Sequence, residues 1–316
     1  MQGDQSLFTT AAGVERLWEI STPLLERPPP IEPYPPGSWG PSCVHQVTAP
    51  YRWHLPEETE VAAPAQRSDR KPSTPLTGAW RTVVPAAGDP HGPLPPLLLA
   101  LTVVTGLVDA FSYLTLGHVF VANMTGNVVF LGFALAGASG FSITASLVAL
   151  GAFSLGALAG GRLGTELGVH RGRLLAVTGA VQACLVLAAV GIAATAGAPG
   201  SGVARYVLIV LLGLATGAQN ATARKLAVPD LTTTVLTLTI TGMFADGRLA
   251  GGTASRIGRR LLSTLAMFLG GLVGALLVLR ARPVLAIAVA SIVLLVVAVT
   301  AAVRSRTDRP WIHARG

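Results

Sequence analysis

The sequence predicts an all-α polytopic membrane protein. About six spanning helices and two short polar or re-entrant helices fall in two homologous halves behind a disordered, proline-rich N-terminal extension. Three observations predict this: a deficit of charge, a series of apolar runs long enough to cross a bilayer, and an internal repeat.

The charge deficit comes first. Of 316 residues, 51% are hydrophobic and only 12% charged, with a mean hydropathy of +0.59. A soluble domain carries about 25% charged residues, so this composition suits a lipid solvent. The remaining charge is segregated. Residues 1–96 hold 10 of the 15 acids, 7 of the 23 bases and 18 of the 22 prolines. Between Leu97 and Val303 stand four acids (Asp109, Glu166, Asp230 and Asp246) against twelve Arg and Lys.

A crossing needs about 20 mostly apolar residues to span a hydrocarbon core of about 30 Å. The runs that meet or approach this are 97–117, 121–138, 142–161, 174–196, 203–223, 231–247, 261–279 and 283–303. The second and sixth are short and rich in Thr, Asn and Gly. The segment Thr105-Gly106-Leu107-Val108-Asp109-Ala110 matches Thr216-Gly217-Ala218-Gln219-Asn220-Ala221 at an offset of 111 residues. That offset also lays run two over six, three over seven and four over eight. Each half then reads as one long span, a short polar segment and two more spans. The domain organisation is an extension (1–94), a membrane domain (95–303, with repeats 95–197 and 202–303) and a basic tail (304–316).

Positive charge is retained on the cytoplasmic side of membrane proteins, which discriminates between topologies. With eight crossings, Arg162, Arg171 and Arg173 fall opposite Arg248, Arg256, Arg259 and Arg260. With runs two and six not crossing, thirteen bases share one side and only Arg205, Arg280 and Arg282 lie opposite. Six crossings with both termini cytoplasmic, in the cell membrane, is the expected topology. Three crossings per half give the two repeats inverted orientations, a plan used by transporters.

The extension contains Pro28-Pro29-Pro30, Pro35-Pro36 and Pro95-Pro96, a density that breaks helices and prevents a core. No basic segment leads into an apolar one within the first 30 residues, so no signal peptide is expected. The extension reads as a linker or a partner-docking tail, or translation starts nearer Val83. Bases cluster between apolar runs rather than along one face, which disfavours nucleic acid as a partner. Cys43 and Cys184 have no metal-spaced partners, and Cys184 is expected to pack inside its run. Walker, His-Glu-x-x-His and Gly-x-Ser-x-Gly signatures are absent. Neither catalysis, metal nor cofactor is expected.

Polar residues inside apolar runs carry the functional reading. Asp109 is a carboxylate at membrane depth, which marks a cavity or a helix-joining hydrogen bond. Its repeat counterpart is the neutral Asn220, so one half can bear a charge for proton or cation coupling that the other lacks. Asn123-Met124-Thr125-Gly126-Asn127 opens the short second run with side chains suited either to a ligand or to freed backbone groups. Pro229-Asp230-Leu231-Thr232-Thr233-Thr234 opens the sixth, with Asp230 placed to cap a helix N-terminus. Thr234, Thr237 and Thr241 then form a polar stripe. The candidate solute or ion site is Asp109, Asn123, Thr125, Asn127, Gln219, Asn220 and Thr234. Gly156, Gly160 and Gly164, and likewise Gly270 and Gly274, space small-residue faces for close helix packing.

These segments, with Gly117-His118-Val119-Phe120-Val121-Ala122 preceding Asn123, resemble the YoaK-like family of bacterial membrane proteins (domain of unknown function 1275) over about residues 95–303. The resemblance implies a polytopic membrane protein of about six spans with no established substrate. Two functions compete: a small-solute or ion-coupled transporter, and a membrane scaffold or sensor that binds a partner through its helices. The lipid bilayer is the expected partner in both, and oligomeric state is left open.

Overall fold

The computed structural model describes residues 11–26, 33–34, 75–86, 88–167, 170–196, 202–231, 233–234, 236–246, 257–306 and 310–312. The chain forms two compact units, Met1–Lys71 and Pro72–Gly316. In the first, α1 (Ala11–Glu26) forms where twelve helical residues precede its proline, Pro23. Its Leu17, Trp18 and Ile20 are exposed, so α1 builds no core of its own. The rest of the extension within this unit, apart from residues 33–34, lies outside the described residues.

The second unit opens with α2 (Pro75–Val83), whose first residue is a proline, a position where the missing N–H costs nothing. Eight further helices follow: α3 (Leu94–Thr115), α4 (Met124–Leu135), α5 (Ile143–Leu167), α6 (Arg171–Thr195), α7 (Gly202–Leu226), α8 (Leu236–Ala245), α9 (Ile257–Arg280) and α10 (Pro283–Arg304). No strand occurs among the described residues. Six helices (α3, α5, α6, α7, α9 and α10) are long and apolar enough to cross a membrane, whereas α4 and α8 are not long enough. At 1.5 Å per residue, the 12 residues of α4 reach about 18 Å, little more than half a bilayer.

Helix pairing follows a simple plan. The most extensive contacts are α5 with α7, α3 with α9 and α6 with α10, followed by α6 with α7 and α3 with α10. Exchanging the first three long helices for the last three reproduces this same set of pairs. Glycines permit the closest approaches. A Cβ on Gly156 would collide with the Leu214 backbone and one on Gly160 with that of Ala218; one on Gly270 meets Val103 and one on Gly274 meets Leu107 and Ala110. Leu214, Ala218 and Ala221 are Val103, Leu107 and Ala110 shifted by 111 residues. The glycines that meet them are shifted by 114, so the single offset expected across the third runs is lengthened by three residues.

The buried interior is lined chiefly by α3, including Leu98, Leu101, Val104 and Phe111, with Leu212 of α7 and Ala290 of α10. Outward faces carry large apolar side chains such as Leu155, Phe268, Ile292 and Val299, which suits a lipid surround. Cys184 is exposed on α6, not packed inside as expected, because the α6 face turned to α10 presents Gln182, Ala183 and Val186 instead. At the end of the chain, Trp311 and Ile312 are buried, so part of the basic tail folds back onto the helices.

Candidate functional site

The chain leaves α3 at Thr115 and reverses through Gly117 (φ 82°) and His118 (φ 57°). A Cβ on Gly117 would run into the Arg205 guanidinium, whose Nε donates to the Leu116 carbonyl at 2.7 Å. Residues 119–123 then run back beside α3 without helical bonds of their own. Val119 and Val121 are buried. Non-helical backbone at membrane depth needs partners for its polar groups, and side chains supply them for Phe120, Val121 and the Ala122 N–H.

Asp109 supplies the first tether. Its Oδ1 accepts from the Val121 N–H at 3.1 Å and the Ala122 N–H at 2.9 Å, and its Oδ2 accepts from Asn123 Nδ2 at 2.5 Å. Asn127, fully buried in the first turn of α4, supplies the second. Its Oδ1 accepts from the Phe120 N–H at 2.9 Å and its Nδ2 donates to the Phe120 carbonyl at 2.5 Å. Thr216 of α7 supplies the third, donating its hydroxyl to the Val121 carbonyl at 2.5 Å. Phe120, held on both backbone groups, stacks on Tyr113 (centroids 4.9 Å, 24° between planes). The aromatic cluster continues through Phe130 and Phe141.

Beside this segment, α3 and α9 border an open cleft of about 360 Å³. Its polar walls are Asp109, Asn123 and Tyr113, and its apolar walls include Leu114, Phe120 and Met267. Asp109 itself is only 4% exposed.

A related arrangement occurs at Asn220 of α7. Thr234 donates its hydroxyl to Asn220 Oδ1, and Asn220 Nδ2 donates back to the Thr216 carbonyl at 3.0 Å. Asp109 with Asn123, and Asn220 with Thr234, are both separated by fourteen residues. Asp109 and Asn220 each stand six residues before the last residue of their helix, about 9 Å along its axis. Gln219 belongs to neither tether. Its Nε2 donates to Thr105 Oγ1 at 2.9 Å and to the Leu101 carbonyl at 3.3 Å, joining α7 to α3.

The structure therefore brings Asp109, Asn123 and Asn127 onto one segment, places Asn220 and Thr234 together elsewhere, and sets Gln219 between α3 and α7. Thr125 is exposed on α4. Thr105, Thr216, Tyr113 and Phe120 belong to these networks, although the sequence did not mark them as site residues. Thr105 and Thr216 open the two matching segments 105–110 and 216–221, and that coincidence was the available signal. Two expectations for the sixth run need correction. Asp230 does not cap a helix, because α8 starts six residues later, at Leu236; its carboxylate instead accepts from Arg260 Nε at 2.9 Å. Thr237 and Thr241 are exposed, so no stripe continues inward from Thr234; the buried threonine of α8 is Thr239. Thr232 lies outside the described residues.

Arg260 also pairs with Asp246 at 2.8 Å and donates to the Gly242 carbonyl, tying both ends of the 230–246 segment to α9. The Asp246 arm is largely exposed and contributes little, so the Asp230 and Gly242 arms dominate. Arg260→Gln is expected to loosen this segment. Hydrogen exchange over residues 230–246 should rise by about tenfold or more, with exchange over 117–127 unchanged.

The family model for "Protein of unknown function (DUF1275)" matches residues 97–300, which covers all six long helices apart from a few terminal residues. Among curated proteins, UPF0700 transmembrane protein YoaK of Bacillus subtilis (strain 168) is 35% identical over 157 residues, covering 48% of this chain and 68% of that protein. No solved structure matches the chain. With six apolar helices of spanning length, a matching family model and a transmembrane relative, this chain belongs to the DUF1275 family and is a multi-pass membrane protein in contact with the lipid bilayer.

Proposed function

We propose that this protein moves a small solute or ion across the cell membrane, and that its two halves are inverted repeats that rock about a shared interface. One observation carries the reading: two non-helical segments, each tethered fourteen residues back to a polar side chain six residues from a helix end, Asp109 to Asn123 and Asn220 to Thr234. Non-helical segments held by polar side chains at repeat-related positions are how inverted-repeat transporters build movable sites. The exchange-symmetric helix pairing supports the same reading.

With six crossings and both termini cytoplasmic, the first and fourth spans run in opposite directions. The Asp109 tether then lies toward the outer face and the Asn220 tether toward the inner face. The distribution of bases favours that orientation. Nothing in this scheme requires bond-breaking chemistry, and we assign none.

Flux into proteoliposomes tests the proposal. Wild-type protein, challenged with a panel of labelled amines, amino acids and sugars and with a pH-sensitive dye inside the vesicles, is expected to exceed empty vesicles for at least one solute or for protons. Asp109→Asn should lower that rate by about tenfold or more. Equal rates for wild type, variant and empty vesicles, together with a stoichiometrically co-purifying protein, would favour the scaffold reading instead.

A further inference from the structure

We infer that the cleft between α3, α9 and the 117–123 segment binds an organic cation, with the cationic group beside Asp109 and the apolar part against Tyr113 and Phe120. The inference names the substrate class of the transport site proposed above, and it draws its physiological meaning from that reading.

The charge is the first argument. Asp109 accepts hydrogen bonds from the backbone N–H groups of Val121 and Ala122 and from the Asn123 amide. All are neutral donors. The ion pairs among the described residues are Arg16 with Glu19 and Arg260 with Asp230 and Asp246, so none neutralises Asp109. An ionised carboxylate in a spanning helix is costly without a counter-charge.

The second argument is that the tether does not need the charge. Asn220 holds Thr234 at the same sequence spacing with a neutral amide. An amide oxygen at position 109 could likewise accept the backbone N–H bonds. The negative charge is therefore more than the two backbone bonds require, although the second carboxylate oxygen also accepts from Asn123, and its position on a cleft wall gives that charge something to meet.

The cleft walls select the kind of cation. About 360 Å³ lies within the range of small-molecule sites. A metal ion stripped of water takes about six or more oxygen ligands, whereas Asp109, Asn123 and Tyr113 are the only polar side chains on these walls. The remaining surface is otherwise apolar, with Gly271 leaving open space where a side chain would stand and Gly106 letting α3 lie close against α9. A carboxylate beside Tyr and Phe faces is the combination that recognises ammonium groups bearing hydrocarbon. The ring stack that holds Tyr113 and Phe120 preorganises that surface.

Direct binding to the full-length protein in detergent tests this independently of flux, with benzyltrimethylammonium as the cationic probe and benzyl alcohol and benzoate as neutral and anionic comparators. Wild type is expected to bind the cation saturably and at least tenfold more tightly than either comparator. Asp109→Asn should weaken cation binding about tenfold or more, and Tyr113→Ala several-fold. Leu114→Trp fills the cleft without touching the tether and should abolish binding, so a second variant remains informative if Asp109→Asn does not fold. Absence of saturable cation binding up to ~10 mM, equal affinity for the comparators, or unchanged binding in both Asp109→Asn and Leu114→Trp each overturns it. Asp109-dependent flux of a neutral or anionic solute would sink the cation assignment and leave the transport reading standing. Cation binding with no flux would do the reverse.

Discussion

Gly217→Leu is expected to abolish the recovery of folded, monodisperse protein, or to lower its melting temperature in detergent by at least ~6 °C, while Gly191→Leu leaves both unchanged. Gly217 stands where α7 crosses α5. A Cβ there would fall inside contact distance of the Phe153 carbonyl and of the Ala157 backbone nitrogen. A flexible side chain could step aside, but a helix backbone cannot. Relieving the overlap means separating two helices along their main contact. Overpacking costs about 1–3 kcal/mol where side chains can yield and more where they cannot, and ~3 kcal/mol corresponds to ~6–12 °C for a domain of this size. A methyl group on Gly191 would have no atom within 4 Å, and the residue lies on an exposed face of α6, so the same substitution there meets only lipid or detergent. Gly106→Leu should behave like Gly217→Leu, since it meets Met267 and Gly271 of α9 in the same way. Size-exclusion profiles after graded heating measure all three. Equal behaviour of Gly217→Leu and Gly191→Leu would show that close backbone approach does not hold the bundle together.

The second large effect is expected from Asn127→Ala, which should cost ~2–4 kcal/mol and eliminate any flux or cation binding that depends on Asp109. The Asn127 amide is the partner for both the N–H and the carbonyl of Phe120. Removing it strands two backbone groups where no water replaces it, at about 1–3 kcal/mol each. The damage should also spread. Phe120 would lose its fixed orientation against Tyr113, and Val121 and Ala122, which donate to Asp109, follow it directly in the chain. Thr125→Ala, two residues away and exposed, is the control and should lie within ~0.5 kcal/mol of wild type. Hydrogen exchange localises the effect: protection should fall over 117–127 in Asn127→Ala and nowhere in Thr125→Ala. If melting and exchange are both unchanged in Asn127→Ala, the 117–123 segment is held by other contacts.

The candidate residues differ in how much of their role could be read in advance. Asp109 and Asn127 stood out because a polar side chain in an apolar run is costly and must have a partner. Nothing in the sequence said that the partners would be the backbone of residues 120–122, twelve and thirteen positions beyond Asp109 around a reversal and seven before Asn127. Asp230 illustrates the opposite case. Its place after a proline suited a helix cap, but the partner that competed for it, Arg260, lies thirty residues on and reaches it only because α9 packs nearby. The Thr237 and Thr241 stripe was read from helical spacing alone, which cannot say whether a face turns toward neighbours or away from them.

By itself, the sequence determined the all-helical, six-span membrane plan, the two short segments and the close-packing glycines, because length, apolarity and small-residue spacing are local properties that lipid makes nearly compulsory. Tertiary structure alone decided which helices pair, that Asp109 and Asn220 belong to separate tethers, and that a cleft lined by Tyr113, Phe120 and Met267 opens beside a carboxylate with no cationic partner among the described residues. Those outcomes depend on contacts between residues far apart in the chain, such as Gly106 with Gly271 and Thr216 with Val121, and no local pattern encodes which distant surfaces will meet.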